Sequence, residues 1–187
     1  MATATTTRLT AEEFERQFAD VDSCELERGE VVRLTAGEWR HSSTCFKVAF
    51  LLGDWARTKR TGRVLINEAG LVTSRDPDTV RGVDVAYFSF ERVPRGQEPE
   101  SFVEVPPNLA VEVLGKGQGW KKMAEKVGEY LRIRADRTWI IDPRHRTLHV
   151  FSPEDPPRAY AENETVTDEA VLPGFSCRVA EFFGDQD

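Results

Sequence analysis

The chain is poor in the residues that build the commonest metal and disulfide frameworks. Its three cysteines, Cys24, Cys45 and Cys177, are far apart and odd in number. With no CxxC, neither a disulfide scaffold nor a zinc ribbon is indicated. Histidine is also scarce. His145 and His149 have HxxxH spacing but straddle a turn and a strand, with no cysteine pair to complete a zinc set. GxSxG, HExxH and Walker motifs are all missing, so the serine-hydrolase elbow, the zinc-protease helix and the P-loop are excluded. No apolar run approaches membrane-spanning length, and the opening MATATTTRLTAEEF has no basic stretch followed by an apolar core. A cytoplasmic protein without a membrane partner is expected.

Positive charge is in deficit too. The formal net charge is −7, which argues against a surface coated in basic residues for constant nonspecific DNA binding. A local basic cleft is still allowed. Arg57, Lys59, Arg60 and Arg63 form one cluster, and Lys116, Lys121, Lys122 and Lys126 another. Solvated helix ends and loops are the ordinary explanation of such clusters. At 187 residues, 40% hydrophobic and 30% charged, the chain suits one domain: a loose tail over 1–8 and a folded unit over 9–187.

Hydrophobic periodicity organises that unit. Thr10 and Glu13 make a capping box before a short helix, and CELERGEVVRL reads as a hairpin turning at Gly29. Cys45, Val48, Leu52 and Trp55 follow helical spacing from His41 to about Arg60. RVLINEAGLVTS reads as one or two strands, RDPDT as a tight turn, and GVDVAYFSF and NLAVEVL as strands. In WKKMAEKVGEYLRIRA, the residues Trp120, Met123, Ala124, Val127, Tyr130 and Leu131 make a core stripe. TWIIDP and RTLHVF are further strands, and VAEFF a last helical turn. The order predicts an α/β (α+β) fold, with a central mixed β-sheet flanked by helices. VDVAYF, LAVEVL and TWIID are apolar on both faces and suit the sheet's middle.

Two acids interrupt these apolar strands. Asp84 lies between valines and Glu112 within AVEVL. A carboxylate there is costly unless it is paired or holds a cation. Two on neighbouring strands can converge on Mg²⁺, which prefers oxygen ligands and can acidify a water or neutralise phosphate charge. Asp78, in the literal Pro77-Asp78, lies where a turn favours aspartate for local hydrogen bonding. A lysine would complete the site. Lys126 is at the edge of the helical stripe, and Lys116, in the loop after Glu112, is its rival. His41 reads as a half-buried residue in line with the second helix's stripe. A different reading starts from GKGQG, which with Asp142 mimics a dinucleotide-binding unit. Its spacing is GxGxG rather than GxGxxG, and Trp120 stands where the third glycine allows close packing.

Taken together, CELERGEVV, RHSSTCFKVAFLLGDWAR, RDPDTVRGVDVAYF, PNLAVEVLGKG, EKVGEYLRIRADRTWIIDPRHRTLHVF and VLPGFSCRVAEFF resemble the Uma-type (Uma-two) restriction endonucleases of the PD-(D/E)XK nuclease superfamily. The likeness runs from about Leu9 to Phe183. It implies a restriction-endonuclease-like fold and a Mg²⁺- or Mn²⁺-dependent endonuclease acting on DNA, with a homodimer compatible with cutting both strands. Asp84 and Glu112 match the family's metal-binding acids, and Lys126 and Tyr130 its lysine and aromatic on the following helix. Glu25 and His41 match positions bordering the site. The superfamily lysine two residues after the second acid is replaced by Leu114. Val83 stands where the family has proline, and Gly115-Lys116 where it has Ser-Pro. The alternative implied by these departures is a nuclease fold that binds nucleic acid, or acts as a scaffold, without cutting.

Overall fold

The computed structural model describes residues 8–18, 21 and 23–184. The tail expected over 1–8 lies, apart from Arg8, outside the described residues. Among the described residues, no helix is long and apolar enough to cross a membrane.

Helix α1 (Ala11–Phe18) begins at the expected capping box: Thr10 N–H donates to Glu13 Oε2 (2.9 Å) and Glu13 N–H to Thr10 Oγ1 (3.2 Å). Strands β1 (Cys24–Glu27) and β2 (Glu30–Arg33) form the hairpin. Its turn holds Arg28 and Gly29 at φ 53° and 83°, the left-handed pair that matches strand twist. A side chain at Gly29 would also bring its Cβ to 2.5 Å from the Cβ of Arg8.

Helix α2 (Trp39–Lys59) precedes β3 (Gly62–Ser74) and β4 (Thr79–Ser89), long strands paired antiparallel from Gly62 with Ser89 to Ser74 with Thr79. The expected one-or-two-strand segment is thus one strand. After β5 (Leu109–Val113), helix α3 (Trp120–Arg132) crosses over to β6 (Arg137–Asp142), which runs parallel to β5. The antiparallel strands β7 (Thr147–Phe151) and β8 (Arg158–Ala161) extend the sheet. The main sheet has eight strands in the order β2-β1-β4-β5-β6-β7-β8, with β3 also on β4. β9 (Thr165–Asp168) and β10 (Leu172–Arg178) make a separate pair before a 3₁₀ turn at Val179–Phe182.

Strand alternation decides which side chains meet which helix. Val111, Val113, Trp139 and Ile141 pack with Val48, Leu52 and Trp55 of α2. Their alternates Ala110 and Ile140 pack with Tyr130, Met123 and Val127 of α3. Both faces are covered, which is why these strands read as continuous apolar runs. Glu112 shares the parity of Ala110 and so looks toward α3.

The stripe on α3 differs from the expected one. Trp120 and Ala124 are exposed, whereas Met123, Lys126, Val127 and Tyr130 are buried. These four are at i, i+3, i+4 and i+7, so a lysine holds a core position. Trp120 instead lays its ring edge against His149, centroids 4.6 Å apart.

Candidate active site: a gap beside β4

Strand β4 has one edge occupied by β3 along its length except for an irregularity opposite Asp84. Its other edge is shared end to end by β1, paired at Val80, and β5, paired from Val85. Between them the backbone of Gly82 is bonded by side chains: its N–H donates to Glu25 Oε1 (3.1 Å), and its C=O accepts from Lys126 Nζ (3.3 Å). The sheet therefore opens where charged groups can enter its middle without leaving backbone groups unpaired.

Glu112 and Lys126 meet in this gap. The ammonium of Lys126 is 2.9 Å from Glu112 Oε2 and 2.9 Å from Glu25 Oε1. Tyr130, one helical turn after Lys126, donates its hydroxyl to Glu112 Oε1. Glu25, Glu112 and Lys126 are 1%, 3% and 6% exposed, so these interactions run through little solvent. Of the two rival lysines, the geometry brings Lys126 to the acids. Lys116 lies in the loop lining a nearby cleft.

Asp84 approaches from the other side. Opposite it β3 carries an irregularity: Ile66 pairs with Val85 but Ala69 with Val83, and Asn67 has a φ of 67°. Strand alternation slips here. Val83 packs with Ala86 and Phe88 in the α3-side cluster although it is an odd position, as a bulge re-aims neighbouring side chains. The Asp84 carboxylate accepts from Val113 N–H (2.7 Å), and its Oδ2 is 3.3 Å from His41 Nε2 at the start of α2.

The electrostatics are short of positive charge. Burial pushes the Glu112 carboxyl up to about 7; Lys126 and the Tyr130 hydroxyl pull it back, while Asp84 and Glu25 push it further up. Lys126 goes the other way from most buried lysines, because Glu112 and Glu25 outweigh its desolvation and hold it firmly protonated. Burial and the adjacent carboxylates keep Tyr130 a neutral phenol. Behind them, Arg81 is already committed. Its guanidinium binds Glu129 (2.7 Å), Glu25 Oε2 (3.0 Å) and Glu27. Asp84 stands close enough to push the Glu112 carboxyl up, and two carboxylates are the kind of oxygen donor set a divalent cation takes, although the group of converging ligand atoms that holds Asp84 does not include Glu112.

Chain order did not reveal all participants. Arg81, Glu27 and Glu129 form the buried support, and nothing in their spacing distinguishes them from surface charges. Cys45 is different. It looks like a member of the α2 core stripe, yet its Sγ is 3.7 Å from His41 Nδ1. His41 and Cys45 at i and i+4 share one helix face, so this contact was readable.

Other expected features resolve locally. Asp78 closes the turn between β3 and β4: its carboxylate accepts from Ala11 N–H (2.8 Å), Asp76 N–H (3.1 Å) and Arg75 (2.7 Å). Asp142, the acid of the dinucleotide reading, caps its own turn through the N–H groups of Arg144 and His145 and the His145 ring. The GKGQG loop lines a cleft of about 650 Å³ with Arg40, Trp120, Asp142 and Arg144. This cleft adjoins the gap, since a Cβ on Gly115 would lie 3.8 Å from His41 Cδ2.

The sequence model of the Uma2 family, described as "Putative restriction endonuclease", matches residues 11–180. The chain belongs to the Uma2 family. No curated protein matches it. Among solved structures it is similar to the crystal structure of a "putative nuclease belonging to DUF820" from Anabaena variabilis ATCC 29413. That likeness has a TM-score of 0.75 at 17% identity, over 94% of this chain and 97% of the other. The Uma2 chain thus has a nuclease-type fold, with its mixed sheet between α2 and α3.

Proposed function

We propose that this Uma2 protein is a divalent-metal-dependent endonuclease that hydrolyses phosphodiester bonds in DNA. One observation carries the reading: a buried lysine held 2.9 Å from two acids, in a sheet gap next to the strand that carries Asp84. Asp84 and Glu112 would hold Mg²⁺ or Mn²⁺, and the bound cation would acidify a water and offset charge on the phosphate.

The chain's own groups have separable tasks. Lys126 stays charged, so it acts not as a base but as a donor that orients the attacking water and stabilises negative charge on the non-bridging oxygens. Glu25 fixes the ammonium and ties it to Arg81. Tyr130 orients Glu112. The water oxygen bonds to phosphorus in line with the departing 3′ oxygen and gives up a proton to solvent, the bond between phosphorus and the 3′ oxygen breaks, and the 3′ oxygen takes up a proton from solvent. Arg40, Lys116 and Arg144 around the adjoining cleft would bind flanking phosphates. Cutting both strands of a duplex suits a homodimer, and a cytoplasmic setting suits an enzyme of this chemistry.

Val83 in place of the family's proline does not disturb the approach to Asp84. It is 1% exposed and keeps its pairing with Ala69 at the edge of the β3 irregularity. The test is incubation of supercoiled plasmid with Mg²⁺ or Mn²⁺, beside Asp84→Asn, Glu112→Gln and an RNA substrate. Nicking by the wild type alone, on DNA and not RNA, is expected. Equal nicking by all three proteins overturns the assignment. Binding without cutting by the wild type favours a catalytically lapsed, nucleic-acid-binding member of the family.

A further inference from the structure

Among the described residues, the one group of three side chains whose potential ligand atoms converge is His41, Cys45 and Asp84, all within 4.8 Å of one another. We propose that these three form a seat for a borderline or soft divalent cation such as Zn²⁺ or Co²⁺, sharing Asp84 with the proposed hydrolytic centre.

The chemistry of the donors points away from Mg²⁺. A thiolate and an imidazole suit zinc-like ions, whereas Mg²⁺ demands oxygens. The distances are close to the edges of a tetrahedron. Ligand bonds of about 2.3 Å for sulfur and 2.0–2.1 Å for nitrogen and oxygen put nitrogen and oxygen roughly 3.3 Å apart, and sulfur and nitrogen roughly 3.6 Å apart. His41 Nε2 lies 3.3 Å from Asp84 Oδ2 and 3.9 Å from Cys45 Sγ. The thiol would move a few tenths of an ångström toward Nε2 to meet its edge, and the third edge, from Cys45 Sγ to the Asp84 carboxylate, lies within 4.8 Å. The fold fixes the set from two directions: His41 and Cys45 are one turn apart on α2, and the Val113 N–H holds the Asp84 carboxylate toward them. Three protein ligands leave a fourth position open.

The seat does not rest on the nuclease reading, but one consequence does. A cation held by Asp84, His41 and Cys45 competes for the carboxylate that the hydrolytic Mg²⁺ needs. Zn²⁺ should then inhibit Mg²⁺-supported cutting, and Cys45→Ser should relieve that inhibition about tenfold while keeping its Mg²⁺ rate.

The direct experiment titrates the full chain with Co²⁺. A near-ultraviolet thiolate-to-cobalt charge-transfer band is expected with the visible absorption of a tetrahedral ion. The charge-transfer band should vanish in Cys45→Ser, weaken at least tenfold in affinity in His41→Ala and Asp84→Asn, and persist in Glu112→Gln. A wild type without the band, or a Cys45→Ser protein that keeps it through Cys24 or Cys177, overturns the proposal. The two readings fail separately. A cobalt band in a protein that cuts nothing supports the seat and sinks the nuclease, and Asp84-dependent cutting without a band does the reverse.

Discussion

Asp78, in the turn before β4, and Asp84, in the middle of β4, lie six residues apart, yet the fold treats them oppositely. Asp78 is matched locally. Two backbone N–H groups and the Arg75 guanidinium overcome the effect of burial and hold its carboxyl below the usual range. Asp84 enters a neighbourhood where Glu25 and Glu112 share the Lys126 ammonium, where Arg81 also holds Glu25, and where Glu112 is pushed up to about 7. The first aspartate is a finished structural tie. The second belongs to a cluster left short of positive charge, as the proposed cation site requires. The literal Pro-Asp of the sequence is therefore the turn, and the functional candidate is the aspartate preceded by valine.

The sharpest way to break this contrast is to neutralise each aspartate in turn. Asp84→Asn should lower cleavage by about 10²–10³-fold, a loss typical of removing one group that stabilises transition-state charge, with little change in melting temperature. Asp78→Asn should do the reverse. Its activity per folded molecule should stay near wild type, while stability falls by about 1–3 kcal/mol as the Ala11 and Arg75 contacts weaken. Plasmid nicking and thermal melts on both variants measure the two effects. A large loss of cutting from Asp78→Asn without unfolding would invert the assignment.

Lys126 tests the same idea from the cation side. Lys126→Met leaves Glu25 and Glu112 without their shared ammonium, and breaking a buried pair in this way should cost about 3–5 kcal/mol of stability. Lys126→Met with Glu25→Gln should recover part of that stability, because one uncompensated charge is removed. It should recover no cleavage, since no donor returns to the site. Denaturant melts and nicking assays on the single and double variants separate the two roles. Cleavage that returns along with stability would make Lys126 merely structural.

These particulars show what the sequence could reveal. Apolar runs in VDVAYF, LAVEVL and TWIID located the middle strands, because alternation over a sheet covered on both faces leaves no polar positions. Carboxylates inside such runs stand out against that background, so Asp84 and Glu112 were legible. Lys126 was visible only as a flank residue. Its burial depends on the gap between β1 and β5, which no local pattern encodes. For the same reason Trp120 and Ala124 were misplaced in the core, since helical periodicity fixes a stripe's spacing but not its rotation against the sheet. Arg81 and its three glutamates come together from β1, β4 and α3, and long-range pairing of that kind leaves no trace in spacing.

A smaller and more specific effect follows from Glu112. Its ordinary value is 4.5 and its folded value about 7. A carboxyl raised on folding contributes stability that is fully present below about 4.5 and is lost as pH rises through about 7. The swing is on the order of 3 kcal/mol. Glutamine at this position is neutral throughout. In the presence of a chelator, Glu112→Gln should therefore gain stability relative to wild type between pH 5 and pH 8, as read by thermal melts across that window. A constant difference would mean that Lys126 alone balances Glu112, and the charge deficit that sets Asp84 apart from Asp78 would disappear.

The smallest expected effect concerns the cleft beside the gap. Lys116 lines it with Arg40 and Arg144, and a phosphate contact from a single lysine steepens the salt dependence of DNA binding by about one ion. Lys116→Gln should weaken binding of catalytically disabled Asp84→Asn protein several-fold at low salt, uniformly across DNA sequences, and reduce the slope of log affinity against log salt by about one. Fluorescence anisotropy over a salt series measures both. Lys121→Gln, at an exposed position on α3 outside the residues lining the cleft, is the control, and its slope should not move. Equal changes from both substitutions would mean that nucleic acid feels only the net charge, and the cleft would lose its claim to lead the backbone toward Asp84.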